Sequence, residues 1–203
     1  MKKPKLRELK EALRSLFSRP FTSFYPFTAH RPADGFRGKP IFHIEDCIGC
    51  AACSEVCPSG AISCTDNREH RTRLLSHDAG RCIFCGKCEE ACITNPKGIR
   101  LSKEFNLAYL KGGNCQHSIS HTLLLCDSCG EVIGTTRHLE WVSHRLGPLS
   151  FGSGLLLGVR QAANNIPKGI EEVKVKEPYD RVDILKNLCP KCRRSAFLAD
   201  EKV

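Results

Sequence analysis

A chain of 203 residues with 14 cysteines, only 7% aromatic residues and a formal charge of +9 is short of ordinary core material. Metal centres are expected to replace part of that core. Clustered Cys-x₂-Cys pairs, with no apolar signal-like segment at the start, argue against a secreted disulfide framework and for a reducing cytosol. The longest apolar stretch, 146–159, is broken by Gly and Pro and is too short to cross a bilayer.

Residues 1–19 read as a basic amphipathic helix. Leu6, Leu9, Leu13, Leu16 and Phe17 share one face, Lys5, Arg7, Lys10 and Arg14 surround it, and Pro20 ends it. Such a helix either docks on its own domain or meets a partner groove or an anionic surface. The aromatic stretch from Phe21 to Phe27, bounded by Pro20 and interrupted by Pro26, reads as a partner-facing arm. A short strand follows at 41–44.

Then comes the pattern that dominates the chain. Cys47, Cys50, Cys53 and Cys57 repeat as Cys82, Cys85, Cys88 and Cys92, each run spaced C-x₂-C-x₂-C-x₃-C. That spacing holds a [4Fe–4S] cluster, with the fourth cysteine of each run ligating the other cluster. The expected ligand sets are therefore Cys47, Cys50, Cys53 and Cys92 for one cluster, and Cys82, Cys85, Cys88 and Cys57 for the other. Gly49, Ala51, Ala52 and Gly86 leave room for close backbone approach. The chain takes two residues longer to reach Ile99 from Cys92 than Ile62 from Cys57, and Pro58 has no counterpart. A longer, more exposed turn is expected beside Cys92.

Between the runs, 61–65 and 73–76 form an expected hairpin around the polar turn 66–69. Cys64 lies outside the ligand spacing and reads as a buried free thiol. Ile99 and Leu101 close the unit near residue 106, and a glycine-containing linker follows at 111–114. Cys115, His117 and His121 are read as non-ligands, the histidines solvent-exposed or in a linker, and His138 and His144 as surface residues. Helices are expected near 137–146 and 155–164.

Cys126/Cys129 and Cys189/Cys192 form two Cys-x₂-Cys knuckles, although residues 130–188 make an unusually long insertion between them. Loop closure costs little extra with length, so one Cys₄ site for zinc, or alternatively iron, is expected. Counting twelve ligand thiolates, two oxidised cubanes and one zinc brings the charge down to roughly +3. The basic excess therefore offsets cofactors rather than announcing nucleic acid. No nucleophile–base pair, phosphate loop or dinucleotide fingerprint stands out, so no bond chemistry of the chain's own is expected. The overall expectation is an α+β chain: a helix and arm at 1–34, a bacterial-type two-[4Fe–4S] ferredoxin-like domain at 35–108, and a zinc-ribbon-like Cys₄ module with helical insertion at 109–203.

Five segments, 35–40 (Gly-Phe-Arg-Gly-Lys-Pro), 47–53, 82–90, 101–108 and 189–194 (Cys-Pro-Lys-Cys-Arg-Arg), resemble the polyferredoxin subunit of formate hydrogenlyase and its hydrogenase-4 counterpart. These are related to the two-cluster ferredoxin-like subunit of respiratory complex I. The resemblance implies a cytoplasmic electron-transfer arm of a membrane-bound group 4 [NiFe]-hydrogenase, peripheral to the inner membrane. It implies hydrogenase small and large subunits, an electron-input ferredoxin-like or dehydrogenase subunit and membrane-arm subunits as partners. The alternatives are the equivalent subunit of a complex I-type quinone or ferredoxin oxidoreductase and, remotely, a regulatory zinc-ribbon nucleic-acid-binding protein.

Overall fold

The computed structural model describes residues 5–19, 27–28, 31–107, 116–164 and 186–200. It divides into two units, Met1–Phe36 and Arg37–Val203. In the first, α1 (Leu6–Phe17) forms where the leucine spacing predicts it, opened by a reciprocal Lys5/Glu8 capping arrangement. None of its residues is buried: Leu6 is 87% and Phe17 85% exposed. Most of the aromatic arm (20–26), the 111–114 linker and Cys115 lie outside the described residues.

In the second unit, two sheets enclose the duplicated cysteine motifs. β1 (Pro40–Phe42) pairs antiparallel with β4 (Ile99–Leu101), joining the start of the first run to the end of the second. Between these lie two single-turn helices, α2 (Ala52–Glu55) and α3 (Lys87–Glu90), at equivalent places in the repeat. The expected hairpin forms as β2 (Ile62–Asn67) and β3 (Thr72–Asp78), both longer than the sequence suggests.

The four-stranded sheet has the order β2-β3-β5-β6. β5 (Gln116–Leu125) runs antiparallel along the whole of β3, and β6 (Val132–Thr135) returns beside it. Strand hydrogen bonding thus continues across the boundary expected at 108/109. Alternate residues of one face, Ile62, Leu75, His77, Ile119 and His121, are buried, as the two-residue period of a strand requires. Ile62, Leu75 and Ile119 pack with Phe42, Ile99, Cys53 and Cys88 into one core. His121 is therefore a buried strand residue, only 5% exposed, and not the linker histidine expected. His117 is half-buried and stacks on Phe42 at 5.8 Å between centroids. Cys64 is half-buried rather than buried.

The expected helices appear as α4 (Thr136–Leu146) and α5 (Gly154–Ala163), joined through a 3₁₀ turn at Gly147–Gly152. α4 packs on β5, β6 and α5. His144 is exposed as expected, whereas His138 is half-buried. The last element, α6 (Pro190–Asp200), begins directly after Cys189.

Candidate iron–sulfur and Cys₄ centres

The sequence repeat is also a backbone repeat. Positive φ recurs two and four residues past the first cysteine of each run: Gly49 (70°) and Ala51 (65°), then Phe84 (54°) and Gly86 (80°). These left-handed turns fold each loop back on itself, a conformation that disfavours side-chain-bearing residues. Ala51 and Phe84 adopt it nonetheless, so the surrounding structure holds both loops in shape. The turns aim backbone donors at sulfur. Phe84 N–H donates to Cys82 Sγ at 3.4 Å, and Gly49 N–H plays the same part for Cys47.

Two cavities result, each lined by four cysteines. The first gathers Cys47, Cys50, Cys53 and Cys92 against Ile48 and Ile99. The second gathers Cys82, Cys85, Cys88 and Cys57 against Pro40 and Ile62. The fourth cysteine of each run thus sits with the first three of the other. The two fourth cysteines share an environment as well. Against the cost of burial, hydrogen bonds from the Ile62 N–H and from Ser59 hold the Cys57 thiol below its ordinary range. Thr94, with the Ile99 and Gly98 N–H groups, does the same for Cys92. By contrast, burial pushes Cys53 up to about 12 and Cys88 up to about 11, with neighbouring cysteines adding to both. Such thiols ionise only beside a compensating positive charge, which an iron cluster supplies.

The longer turn after Cys92 is exposed at Ile93, Asn95 and Pro96, but not throughout. Thr94 and Gly98 are buried, whereas Pro58 and Gly60 are exposed. The Gly98 N–H donates both to Cys92 Sγ (3.2 Å) and to Thr94 Oγ1 (2.9 Å), tying the two ends of the turn to the sulfur. There Gly98 lies against Cys47, and a Cβ on it would fall 2.6 Å from the Cys47 Cα. Gly98→Ala is accordingly expected to destabilise the fold by about 3 kcal/mol and to lower iron retention, read by anaerobic melting and iron analysis.

Several residues that frame the cavities were not singled out as site residues in the sequence. Arg37, within the 35–40 segment, donates to the Cys85 carbonyl at 3.0 Å. Gly38 comes so near the 102–104 backbone that a Cβ would meet it at 2.6 Å. Arg73 forks onto Asp66 (2.7 and 2.8 Å) and donates to the Gly49 carbonyl at 2.9 Å. Thr135 donates to the Ile48 carbonyl, and Arg137 to those of Ile44 and Glu45. None lies at ligand spacing, so only the folded chain brings them to the loop.

The second centre is the meeting of the two knuckles. One ligand atom each from Cys126, Cys129, Cys189 and Cys192 lies within 4.8 Å of the other three. Cys126 and Cys129 occupy the β5–β6 turn, closed by Gly130 N–H on the Cys126 carbonyl (2.9 Å) at φ +71°. Cys189 and Cys192 bracket the first turn of α6, not a second β-knuckle, because Pro190 is pre-organised for a first helical position. Asp127 and Asn187 tie the two segments, each N–H bonded to the other residue. Despite burial, N–H groups from Cys189, Cys129 and Ser128 bring the Cys126 thiol down to about 6. Cys192 is pushed up to about 12, chiefly by Cys129. The donor set suits zinc or iron.

A family model described as a 4Fe-4S dicluster domain matches residues 46–96, the segment that contains both cysteine runs. This is an iron–sulfur electron-transfer protein. Subunit I 2 of the NADH-quinone oxidoreductase of Geobacter metallireducens is 33% identical over 116 residues, 53% of this chain and 87% of that one. Formate hydrogenlyase subunit 6 of Escherichia coli is 29% identical over 167 residues, 82% of this chain and 90% of that one. Among solved structures, the archaeal membrane-bound sulfane sulfur reductase, a respiratory membrane complex, matches at 30% identity over 53% of this chain and 57% of that one, with a TM-score of 0.36. The chain belongs to the family of ferredoxin-like iron–sulfur subunits that includes NADH-quinone oxidoreductase subunit I and formate hydrogenlyase subunit 6.

Proposed function

We propose that the chain holds two [4Fe–4S] clusters, one on Cys47, Cys50, Cys53 and Cys92 and the other on Cys82, Cys85, Cys88 and Cys57. The carrying observation is that each cavity draws three cysteines from one run and the fourth from the other. When bound, such clusters accept and release one electron at a time. The protein's part is to fix their separation and to surround them with N–H donors and charge. The Cys₄ set binds zinc and pins the β5–β6 turn to α6. Residues 35–108 carry the electron path, residues 109–203 brace it, and 1–34 dock it.

In this reading the chain relays electrons to the small subunit of a membrane-bound [NiFe]-hydrogenase, between an electron-input subunit and the hydrogenase pair. The match to formate hydrogenlyase subunit 6 supports this reading because it extends well past the cluster segment. Among the described residues no helix is long and apolar enough to cross a membrane. Attachment at the cytoplasmic face of the inner membrane would therefore come through partner subunits, with the exposed face of α1 and its basic flanks as contact. The higher identity to NADH-quinone oxidoreductase subunit I favours a second reading, a complex I-type oxidoreductase.

Affinity isolation of the tagged, full-length protein from its own membranes decides between them. A co-purifying nickel-containing subunit, with hydrogen evolution from reduced viologen, is the expected result. A nickel-free complex that oxidises NADH or reduces quinone would transfer the assignment to the second reading.

A further inference from the structure

The loop around Cys47 is anchored by residues from outside the cysteine motif. Thr135, 0% exposed, donates its hydroxyl to the Ile48 carbonyl and accepts the His138 N–H at 3.3 Å. Arg73 holds the next carbonyl, that of Gly49. Arg137 holds the carbonyls of Ile44 and Glu45. A trans peptide points its carbonyl and its N–H in opposite directions. Anchoring the Ile48 carbonyl on the β6 side therefore turns the Gly49 N–H the opposite way, toward the cavity that Cys47 and Ile48 line. Anchoring the Gly49 carbonyl turns the Cys50 N–H the same way. His121 and Thr135 close the space over Gly49, whose Cβ would lie 2.9 Å from both. A side chain at position 49 would clash with both. The second loop makes the same N–H to sulfur contact at Phe84, but Arg37 anchors it at the Cys85 carbonyl, and Ile83 beside it is 62% exposed.

We propose that Thr135 and Arg137, at the β6–α4 junction, are positioning residues that raise the reduction potential of the cluster on Cys47, Cys50, Cys53 and Cys92, independently of the other. The inference rests on that ligand reading. Reduction adds one negative charge, and an N–H dipole or guanidinium held toward the cavity stabilises the reduced state more than the oxidised one. Thr135 acts by holding the Gly49 peptide, and Arg137 by its charge and its two carbonyl bonds. The segment that extends the ferredoxin sheet therefore makes the two centres unequal.

The test is an anaerobic EPR redox titration of the full-length, cluster-loaded protein as wild type, Thr135→Val, Thr135→Ser and Arg137→Met. In Thr135→Val and Arg137→Met, the signal that Cys92→Ala abolishes is expected to become harder to reduce, by about tenfold in its equilibrium or about 59 mV for one electron. The other signal should stay in place, and Thr135→Ser, which keeps the hydroxyl, should restore the wild-type value. Thr135→Val also removes the N-cap of α4, so a lower melting temperature alone does not count. Arg137→Met leaves that cap intact and decides the matter if Thr135→Val does not fold. Unmoved midpoints in folded variants, or equal movement of both signals, overturn the inference while leaving the ligand reading intact. A wild-type protein without a reducible signal that depends on Cys92 overturns both.

Discussion

Cys92→Ala should abolish the cluster bound by Cys47, Cys50 and Cys53 and leave the cluster on its own neighbours, Cys82, Cys85 and Cys88, reducible. Cys92 lies only four residues from Cys88 in the chain, so an uncrossed arrangement predicts the opposite loss. The crossed arrangement proposed above rests on Cys92 lining the cavity of the first run and Cys57 that of the second. The Thr94 hydroxyl lies 3.3 Å from the Cys92 sulfur and the Gly98 N–H donates to it, so this sulfur is held on that side. The expected magnitude is a fall from about eight to about four iron atoms per chain, with one of two EPR signals gone. Cys50→Ala should remove the same signal and Cys85→Ala the other. Joint loss of the Cys92 and Cys85 signals would refute the crossing.

Cys189→Ser is expected to strip the metal from the Cys₄ centre and loosen α6 and the β5–β6 turn, with cubane absorption nearly unchanged. Cys189 and Cys126 are both buried and share a small core with Leu188, Ile133 and Ala196. The Cys189 N–H donates to the Cys126 sulfur at 3.3 Å. Structural zinc in peptides of this type supplies about 10–16 kcal/mol of apparent binding free energy near neutral pH. That exceeds what so small a core provides, so its loss should appear as a separate, lower melting transition. The clusters should survive because β3 pairs with β5 from Gln116 to Thr122, the part remote from the turn. One zinc lost per chain with cluster spectra intact is the result to look for. Collapse of both cubane signals would mean that the Cys₄ centre is part of the cluster scaffold.

How much of this was legible in the sequence depends on what each element uses to form. The cysteine runs were readable because ligand spacing is set by the metal and not by context, and their backbone repeat follows. α1 was readable from the spacing of its leucines, and α4 and α5 lie where helices were expected near 137–146 and 155–164. β5 was not readable, because its buried face carries His117, Ile119 and His121 while its exposed face carries Ser118 and Ser120. With histidines at 117 and 121, the apolar members of that face reduce to Ile119, Leu123 and Leu125, a weak alternation. Burial of His121 depends on β3, which is remote in sequence. The turn after Cys92 looked exposed because it is longer and polar. Thr94 is buried only because its hydroxyl has a sulfur and an N–H to meet. The second knuckle pair looked like half of a ribbon, whereas Pro190 starts a helix there. Thr135, Arg73 and Arg137 act on carbonyls, and a carbonyl leaves no trace in residue identity.

The central claim is that this chain carries two reducible [4Fe–4S] clusters as part of an electron path. Anaerobic purification of the full-length protein, with iron and zinc analysis and an EPR spectrum after dithionite reduction, tests it most directly. About eight iron atoms, about one zinc and two reducible signals per chain are the expected result. A preparation that holds zinc alone, or full iron with no reducible signal, would contradict it.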